Sequence, residues 1–255
     1  MSRNLRFGRW VVAAAVLALG TTGTAPAQLP KVSPFNNVDP ITLPLDRSEV
    51  WTLHFAYLSP RIITLDVPKY GKRQVWYMVY QVWNTSDTPQ PFVPKFELVT
   101  KDGELRSFLD EPQPSVAQAI SEHEDIQGPK GRIELQTSIG ISKTRIPVTK
   151  PDSIPRAVYG VAIWLDVPAK VSTTNNFSVY VTGLSNGVAE LETANGVKIS
   201  EKTLQIDFNR ATDNVRPQRN DIKPNDNSGL GSETWVYRVI PNVKAKAEKV
   251  EEKKE

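Results

Sequence analysis

The chain has 255 residues, with 31 Lys and Arg against 28 Asp and Glu, no cysteine, 20 prolines and 14 glycines. The missing cysteines exclude disulfides, thiolate metal sites, a thiol nucleophile and the acylated cysteine of a bacterial lipoprotein. The length allows a substantial hydrophobic core, and the prolines, with many β-branched and aromatic residues, predict short strands joined by irregular connections.

The first residues read as a targeting segment. Arg3, Arg6 and Arg9 give a positive start, Trp10 to Leu19 is an unbroken apolar run, and Gly20, Gly23 and the small residues Ala25 and Ala27 follow. That pattern predicts a secretory signal peptide over residues 1–27, cut between Ala27 and Gln28. The apolar run is half of the roughly 20 residues that a spanning helix needs, so no stable membrane span is expected after cleavage. Cleavage removes three arginines and no acid, which leaves a mature chain without net charge. The alkaline pI of the whole chain is therefore no sign of nucleic-acid binding, which needs a clustered basic face.

Residues 28–48 contain four prolines and little periodicity, and read as an extended N-terminal arm. From Val50 to Leu58, Trp51, Leu53, Phe55 and Tyr57 share one parity and Thr52, His54 and Ala56 the other. Ile62 to Val67 is a second β-branched run. Val75 to Trp83 is apolar on both parities, with Gln81 its one strongly polar residue, and predicts a central strand covered on both faces. Asn84-Thr85-Ser86-Asp87 is a turn cluster. Phe96 to Thr100 predicts a partner strand, closed by an Asp102-Gly103 hairpin turn.

Residues 111–157 are less regular. Ser115 is placed to cap a short helix running to Glu122, Ile133, Leu135 and Ile139 suggest a strand, and Pro147, Pro151 and Pro155 mark a loop. Alternation returns at Tyr159 to Leu165 and Phe177 to Thr182, with turn signals at Asn186-Gly187 and Asn195-Gly196. Leu204, Ile206 and Phe208 alternate with polar residues as a half-exposed strand does. Asn209 to Gly231 reads as a long polar loop, and Trp235, Tyr237 and Val239 as the last strand. Residues 244–255 carry five Lys and four Glu and are too polar to fold alone. Eight to ten short strands with turns between them favour a sandwich or barrel.

The stretch Tyr77-Met78-Val79-Tyr80-Gln81-Val82-Trp83-Asn84-Thr85-Ser86-Asp87-Thr88-Pro89, followed by Phe96-Glu97-Leu98-Val99 and Asp102-Gly103, resembles the immunoglobulin-like domains of bacterial exported and envelope proteins. Tyr159-Gly160-Val161-Ala162-Ile163-Trp164-Leu165-Asp166-Val167-Pro168 is similar to the second half of such domains. The resemblance covers about 40 residues closely and about 110 loosely; the insertion between Glu104 and Ala157 is longer than the pattern. It implies an all-β, antiparallel immunoglobulin-like β-sandwich over residues 49–243, with one short helix or irregular insertion and a disordered tail at 244–255. It also implies a binding or scaffolding role, and it brings no catalytic residues.

The candidate chemistry is sparse. His54 lies mid-strand with no nucleophile or orienting carboxylate nearby in sequence, so it reads as a structural histidine and not a general base. His123 sits in Glu122-His123-Glu124-Asp125, which reads as a solvated acidic helix end; structural zinc sites draw ligands from separated segments. Asp221, Asn225, Asp226 and Asn227 offer oxygens but lack the spacing of a calcium loop. Asn84-Thr85-Ser86 and Asn176-Phe177-Ser178 match the glycosylation sequon and read as turn and strand residues. Trp51, Trp76, Trp83, Trp164 and Trp235 are expected to fill the core. The expectation is an exported, periplasmic or extracellular protein without enzymatic activity, cofactor or metal, whose partner is a protein or polysaccharide of the cell envelope. Two alternatives stand beside it: a carbohydrate-binding module using exposed tryptophans, and a hydrolase in which His54 or His123 meets acidic residues in a cleft.

Overall fold

The structure is a computed structural model that describes residues 34–102, 105–128, 131–165, 167, 175–193, 196–210, 221–226, 229 and 231–239. In chain order the elements are β1 (Asn36–Val38), β2 (His54–Tyr57), β3 (Arg61–Val67), β4 (Gly71–Trp83), β5 (Lys95–Thr100), β6 (Ser107–Leu109), α1 (Pro114–Glu124), β7 (Gln127–Gly128), β8 (Gly131–Arg132), α2 (Ser138–Ile141), β9 (Val158–Trp164), β10 (Asn176–Thr182), β11 (Val188–Thr193), β12 (Gly196–Arg210), β13 (Ile222–Pro224) and β14 (Glu233–Val239).

They form an all-β domain built on two multi-stranded antiparallel sheets. The first is organised on β4. β9 lies along one side of it, with Val79 opposite Val161. β3 and then β2 run end to end along the other side, and β1 adds outside β2. The second sheet is organised on β12, the longest strand. β10 and β11 follow each other along one side of it, β13 and β14 along the opposite side, and β5 and β6 extend the sheet beyond β10. The hairpin β7–β8 stands apart.

Alternation along β4 explains the layers. Trp76, Met78, Tyr80 and Val82 face the second sheet and pack with Phe96, Leu98, Phe177, Val179, Leu204, Ile206 and Phe208. Val75, Tyr77 and Val79 face the other way and are covered by Val116, Ala117 and Ile120 of α1, with Phe35 and Leu135. The expectation of a central strand covered on both faces holds. Tyr80 stacks against Phe55 and Phe96 and meets Phe92 edge-on. Its ring fits because Gly160 stands opposite it: a Cβ there would lie 2.4 Å from the hydroxyl.

Several local readings are corrected. Pro34 to Val38, placed within the extended arm, contributes β1 and a buried Phe35. α1 is opened by Pro114, whose fixed φ suits the first helical turn, and its cap residue Gln113 makes no side-chain cap, so Ser115 lies inside the helix. The strand expected through Ile133, Leu135 and Ile139 is absent: Gln136 makes one parallel bridge to Gly160, and α2 begins at Ser138. The loop expected over Asn209–Gly231 contains β13, which pairs with the end of β12. At the expected Asn195-Gly196 turn, Thr193 pairs with Gly196 at the end of the β11–β12 hairpin, while Asn195 lies outside the described residues; Asn186-Gly187 reverses nothing, because β10 and β11 continue along one side of β12. The break between them is set by Gly183, at φ +85, where a Cβ would meet the Val93 carbonyl oxygen at 2.4 Å. The expected leader at 1–27 and tail at 244–255 lie outside the described residues.

Candidate functional site

His54 is the one candidate around which the structure gathers chemistry that the sequence kept apart. Its ring stacks on Trp83, its cross-strand neighbour, with centroids 5.1 Å apart and planes 17° from parallel. Nε2 is 3.0 Å from the Thr85 hydroxyl, and Nδ1 faces the Asp39 carboxylate at 3.5 Å. Sequence neighbours of His54 supply neither group, as expected; both come from segments distant in sequence, one after β1 and one after β4. Burial holds the His54 pKa below its ordinary value, and the neighbouring Asp39 charge opposes that shift. Burial thus favours the neutral ring over the charged one.

A hydroxyl, an imidazole and a carboxylate are the parts of a nucleophilic triad, yet the geometry here is that of a surface latch. The Asp39 side chain is 83% exposed, and 3.5 Å exceeds a good N–H···O hydrogen bond, so the carboxylate orients the ring weakly. The Trp83 stack and Thr85 hold it instead. Asn84, in the adjoining turn, is buried and engaged, its amide donating to the Thr88 and Ile146 carbonyls and its oxygen accepting from the Ser86 backbone.

The acidic helix end divides in two. Glu122, His123 and Asp125 are exposed, but Glu124 turns inward, which corrects the reading of the whole end as solvated. It accepts from Tyr77 Oη at 2.6 Å and pairs with Arg61, so the last turn of α1 is fastened to β3 and β4. Burial and the Glu124 charge together push the Tyr77 hydroxyl far above its ordinary pKa. A cleft of about 320 Å³ opens beside this helix, lined by Gln118, Glu122, Arg132 and Glu134 among others. Nearby in the fold, Asp110 accepts from the Ile163 N–H at 2.7 Å, and burial raises its pKa.

The five tryptophans among the described residues pack into the core. Trp76, Trp164 and Trp235 are buried, while Trp51 and Trp83 are half-buried against the two clusters. No exposed tryptophan platform exists among the described residues, and the carbohydrate-binding alternative built on one finds no support there. In the polar segment, Asn225 turns toward Asn176 and Asp226 accepts from the Gly231 N–H, while Asn227 lies outside the described residues. Among the described residues no three His, Asp or Glu side chains gather in a metal-binding group.

Two features at the β11 end of the second sheet were not foreseen. On the inner face Lys202 is buried, its ammonium 2.5 Å from Asp46 and 2.6 Å from the Ile41 carbonyl, with Tyr237 Oη donating to the same carboxylate. Trp235 Nε1 donates to the Asp39 carbonyl, so residues 39–46 are strapped across β12 and β14. On the outer face the β11–β12 hairpin exposes Val188, Val197 and Ile199, at 48%, 62% and 69%. Alternating exposed apolar residues on an edge hairpin were legible in Val197 and Ile199, but Glu190 and Glu192 hid β11 from a hydrophobic pattern.

These features define an all-β domain of two antiparallel sheets whose aromatic residues are spent on packing. No protein-family model, no curated protein and no solved structure matches the chain.

Proposed function

We propose that this chain is an exported immunoglobulin-like β-sandwich protein without enzymatic activity, which binds or organises components of the cell envelope. The observation that carries the reading is the exposed apolar row of Val188, Val197 and Ile199, which stand together on one face of an edge hairpin, whereas other exposed apolar residues such as Val93 and Ile154 come from separate loops. Exposed apolar rows at the rim of a folded domain mark protein-binding surfaces. The arginine-rich, apolar leader at residues 1–27 supports export. Expression with that leader in a Gram-negative host, osmotic-shock release and N-terminal sequencing test it: the mature chain should begin at Gln28. A chain recovered from the cytosol and beginning at Met1 or Ser2 overturns export. Replacing Val197 and Ile199 by Ser should release the protein from the envelope fraction without changing its melting temperature.

A second reading, that the chain is a hydrolase, rests on the contact of His54 with Thr85 and Asp39. An activated hydroxyl reacts with a fluorophosphonate, so labelling at Thr85 that His54→Ala abolishes would favour it. An unlabelled folded protein leaves the first reading standing.

A further inference from the structure

Within the second sheet, β11 is a terminal strand: it pairs with β12 on one side, and no described strand pairs with its other side. Such an edge is a row of backbone donors and acceptors ready for another strand, and folded proteins ordinarily protect it with charged side chains, lysine above all, with prolines or with bulges. β11 has no lysine, proline or bulge, and its charged side chains are both acidic, Glu190 and Glu192. Its register with β12 places Val188, Glu190 and Glu192 on one face with Glu201, Ile199 and Val197. Glu201 stands opposite Arg238 on β14. Glu190 and Glu192 are exposed, and no ion pair reaches them among the described residues. Each of them has an apolar residue as its partner on the β12 side, Ile199 and Val197. Both carboxylates stand in water at the open edge, where a cation on an added strand would meet them directly.

The register also discriminates between occupants. Residues directly opposite in an antiparallel pair share a face. Two copies of β11 paired in phase about a two-fold axis at Glu190 or at Leu191, the registers of greatest overlap, put Glu190 opposite Glu190 or Glu192 of the second copy. Like charges directly opposite are destabilising. The edge is thus built against itself and in favour of a cationic strand.

We propose that the open edge of β11 receives an extended peptide segment of another protein that carries two basic residues two positions apart, added as a further antiparallel strand. The basic side chains lie opposite Glu192 and Glu190 in the order of the added strand, and an apolar residue two positions after the second of them lies opposite Val188. Backbone bonds supply strand addition and alternate side chains supply selectivity, as in other strand-augmenting domains. The proposal rests on the binding reading above and names the partner's chemistry.

The test uses the full chain, expressed and exported with its own leader, titrated with the fluorescent peptide Thr-Lys-Thr-Lys-Thr-Val-Ser by anisotropy. Saturable binding that weakens with salt is expected. The double variant E190K/E192K should lose at least about tenfold in affinity with an unchanged melt, and the peptide with Glu in place of both Lys should not bind. Backbone N-methylation at alternate residues should abolish binding in one of the two possible phases and spare it in the other, because only one set of N–H groups faces β11. No binding up to about 1 mM, near the weakest affinity worth calling specific, overturns the proposal, as does equal binding of the Glu peptide or of both methylated sets. A dimer in sedimentation that E190K/E192K dissociates would assign the edge to a second copy. Peptide binding that appears after removal of residues 244–255 would assign it to Lys244 and Lys246 of the chain's own tail. Export is read by N-terminal sequencing, so failure of the peptide titration leaves that part of the proposed function intact.

Discussion

β4 and β11 are both antiparallel strands, and the environments on their two sides are opposite. β4 is paired along both edges, covered by the second sheet on one face and by α1 on the other, and its residues Val75 to Tyr80 are all at most 2% exposed. β11 is paired on one edge, and its outer face carries Val188, Glu190 and Glu192, all exposed. A strand closed on all four sides is fixed by packing, so its sequence is a run of large apolar residues. A strand open on two sides is specified by its hairpin partner and is left available to something else. The molecule spends its apolar surface on β4 and keeps charge and backbone valence at β11.

The largest effect expected from breaking this contrast is at Val79, which lies against the α1 layer at 1% exposure. Val79→Asp puts a carboxylate without a partner into that layer, where the cost of burial is many times the worth of one contact. Thermal melting followed by circular dichroism should lose its cooperative transition. The control Glu190→Lys, on the open strand, should melt as the parent does. If both variants melt alike, the two strands do not differ as described.

Lys202 and Asp46 come next. Their side chains are 1% and 5% exposed, near the middle of β12, where the inner face passes beneath the strap of residues 39–46. Lys202→Met leaves the Asp46 carboxylate buried without its ammonium partner, a change that costs about 3–5 kcal/mol in comparable sites. At about 2–4 °C per kcal/mol for a domain of this size, the melting temperature should fall by several degrees or more. The double variant with Asp46→Leu should recover most of the loss. Burial raises the Asp46 pKa, but hydrogen bonds from Lys202, the Leu43 N–H and Tyr237 outweigh it and hold the carboxyl below its ordinary value. Stability from this carboxylate is complete above its unfolded pKa and is lost as pH falls through the lower folded value. Parent and double variant should therefore converge in strongly acid solution.

The same two strands show what was readable beforehand. β4, β9, β10, the second half of β12 and β14 announced themselves because burial selects apolar residues with a period of two, and that signal survives without knowledge of partners. β11 and the first half of β12 gave weaker signals, because exposed strands need no such pattern. β13 was lost inside a polar run, since three residues paired to the end of β12 carry no periodicity. The latch at His54 was invisible for a different reason. Asp39, His54, Trp83 and Thr85 are neighbours through the pairing of β1, β2 and β4, and pairing is not encoded in local spacing. Glu124 was misplaced because Arg61 and Tyr77, which draw it inward, come from strands more than 45 residues away.

A smaller effect is expected at His54. Burial lowers its pKa below the ordinary 6.5, with Asp39 opposing. As pH falls below that value the unfolded chain takes up the proton before the folded chain does, so stability declines on the acid side and is complete above about pH 6.5. His54→Gln keeps a hydrogen-bonding side chain near Thr85 and removes the titration. Melting temperatures measured from pH 7.5 to pH 5 should fall less steeply for the variant than for the parent. An unaltered slope would mean that the ring is hydrated and that the Trp83 stack does not shield it.

The smallest effect belongs to residues 244–255, which lie outside the described residues and bear on whether the edge of β11 is open. Five Lys, four Glu and one sizeable apolar residue, Val250, cannot offset the entropy of ordering this segment, roughly 1–2 kcal/mol for each residue's backbone. A helical pair such as Lys244 and Glu248 contributes about 0.2–0.5 kcal/mol, and twelve residues are near the lower limit for a helix standing alone in water. Deletion after Val243 should leave the melting temperature unchanged within about 1 °C, which corresponds to a few tenths of a kcal/mol. The deletion also sharpens the contrast between the strands. If β11 is closed by a covalently attached strand, removing the tail lowers the melting temperature and raises the hydrogen-exchange rates of the Val188–Thr193 amides. If β11 is open, those amides on its outer edge exchange at the same rate with the tail present or absent, while the amides of β4 stay protected in both.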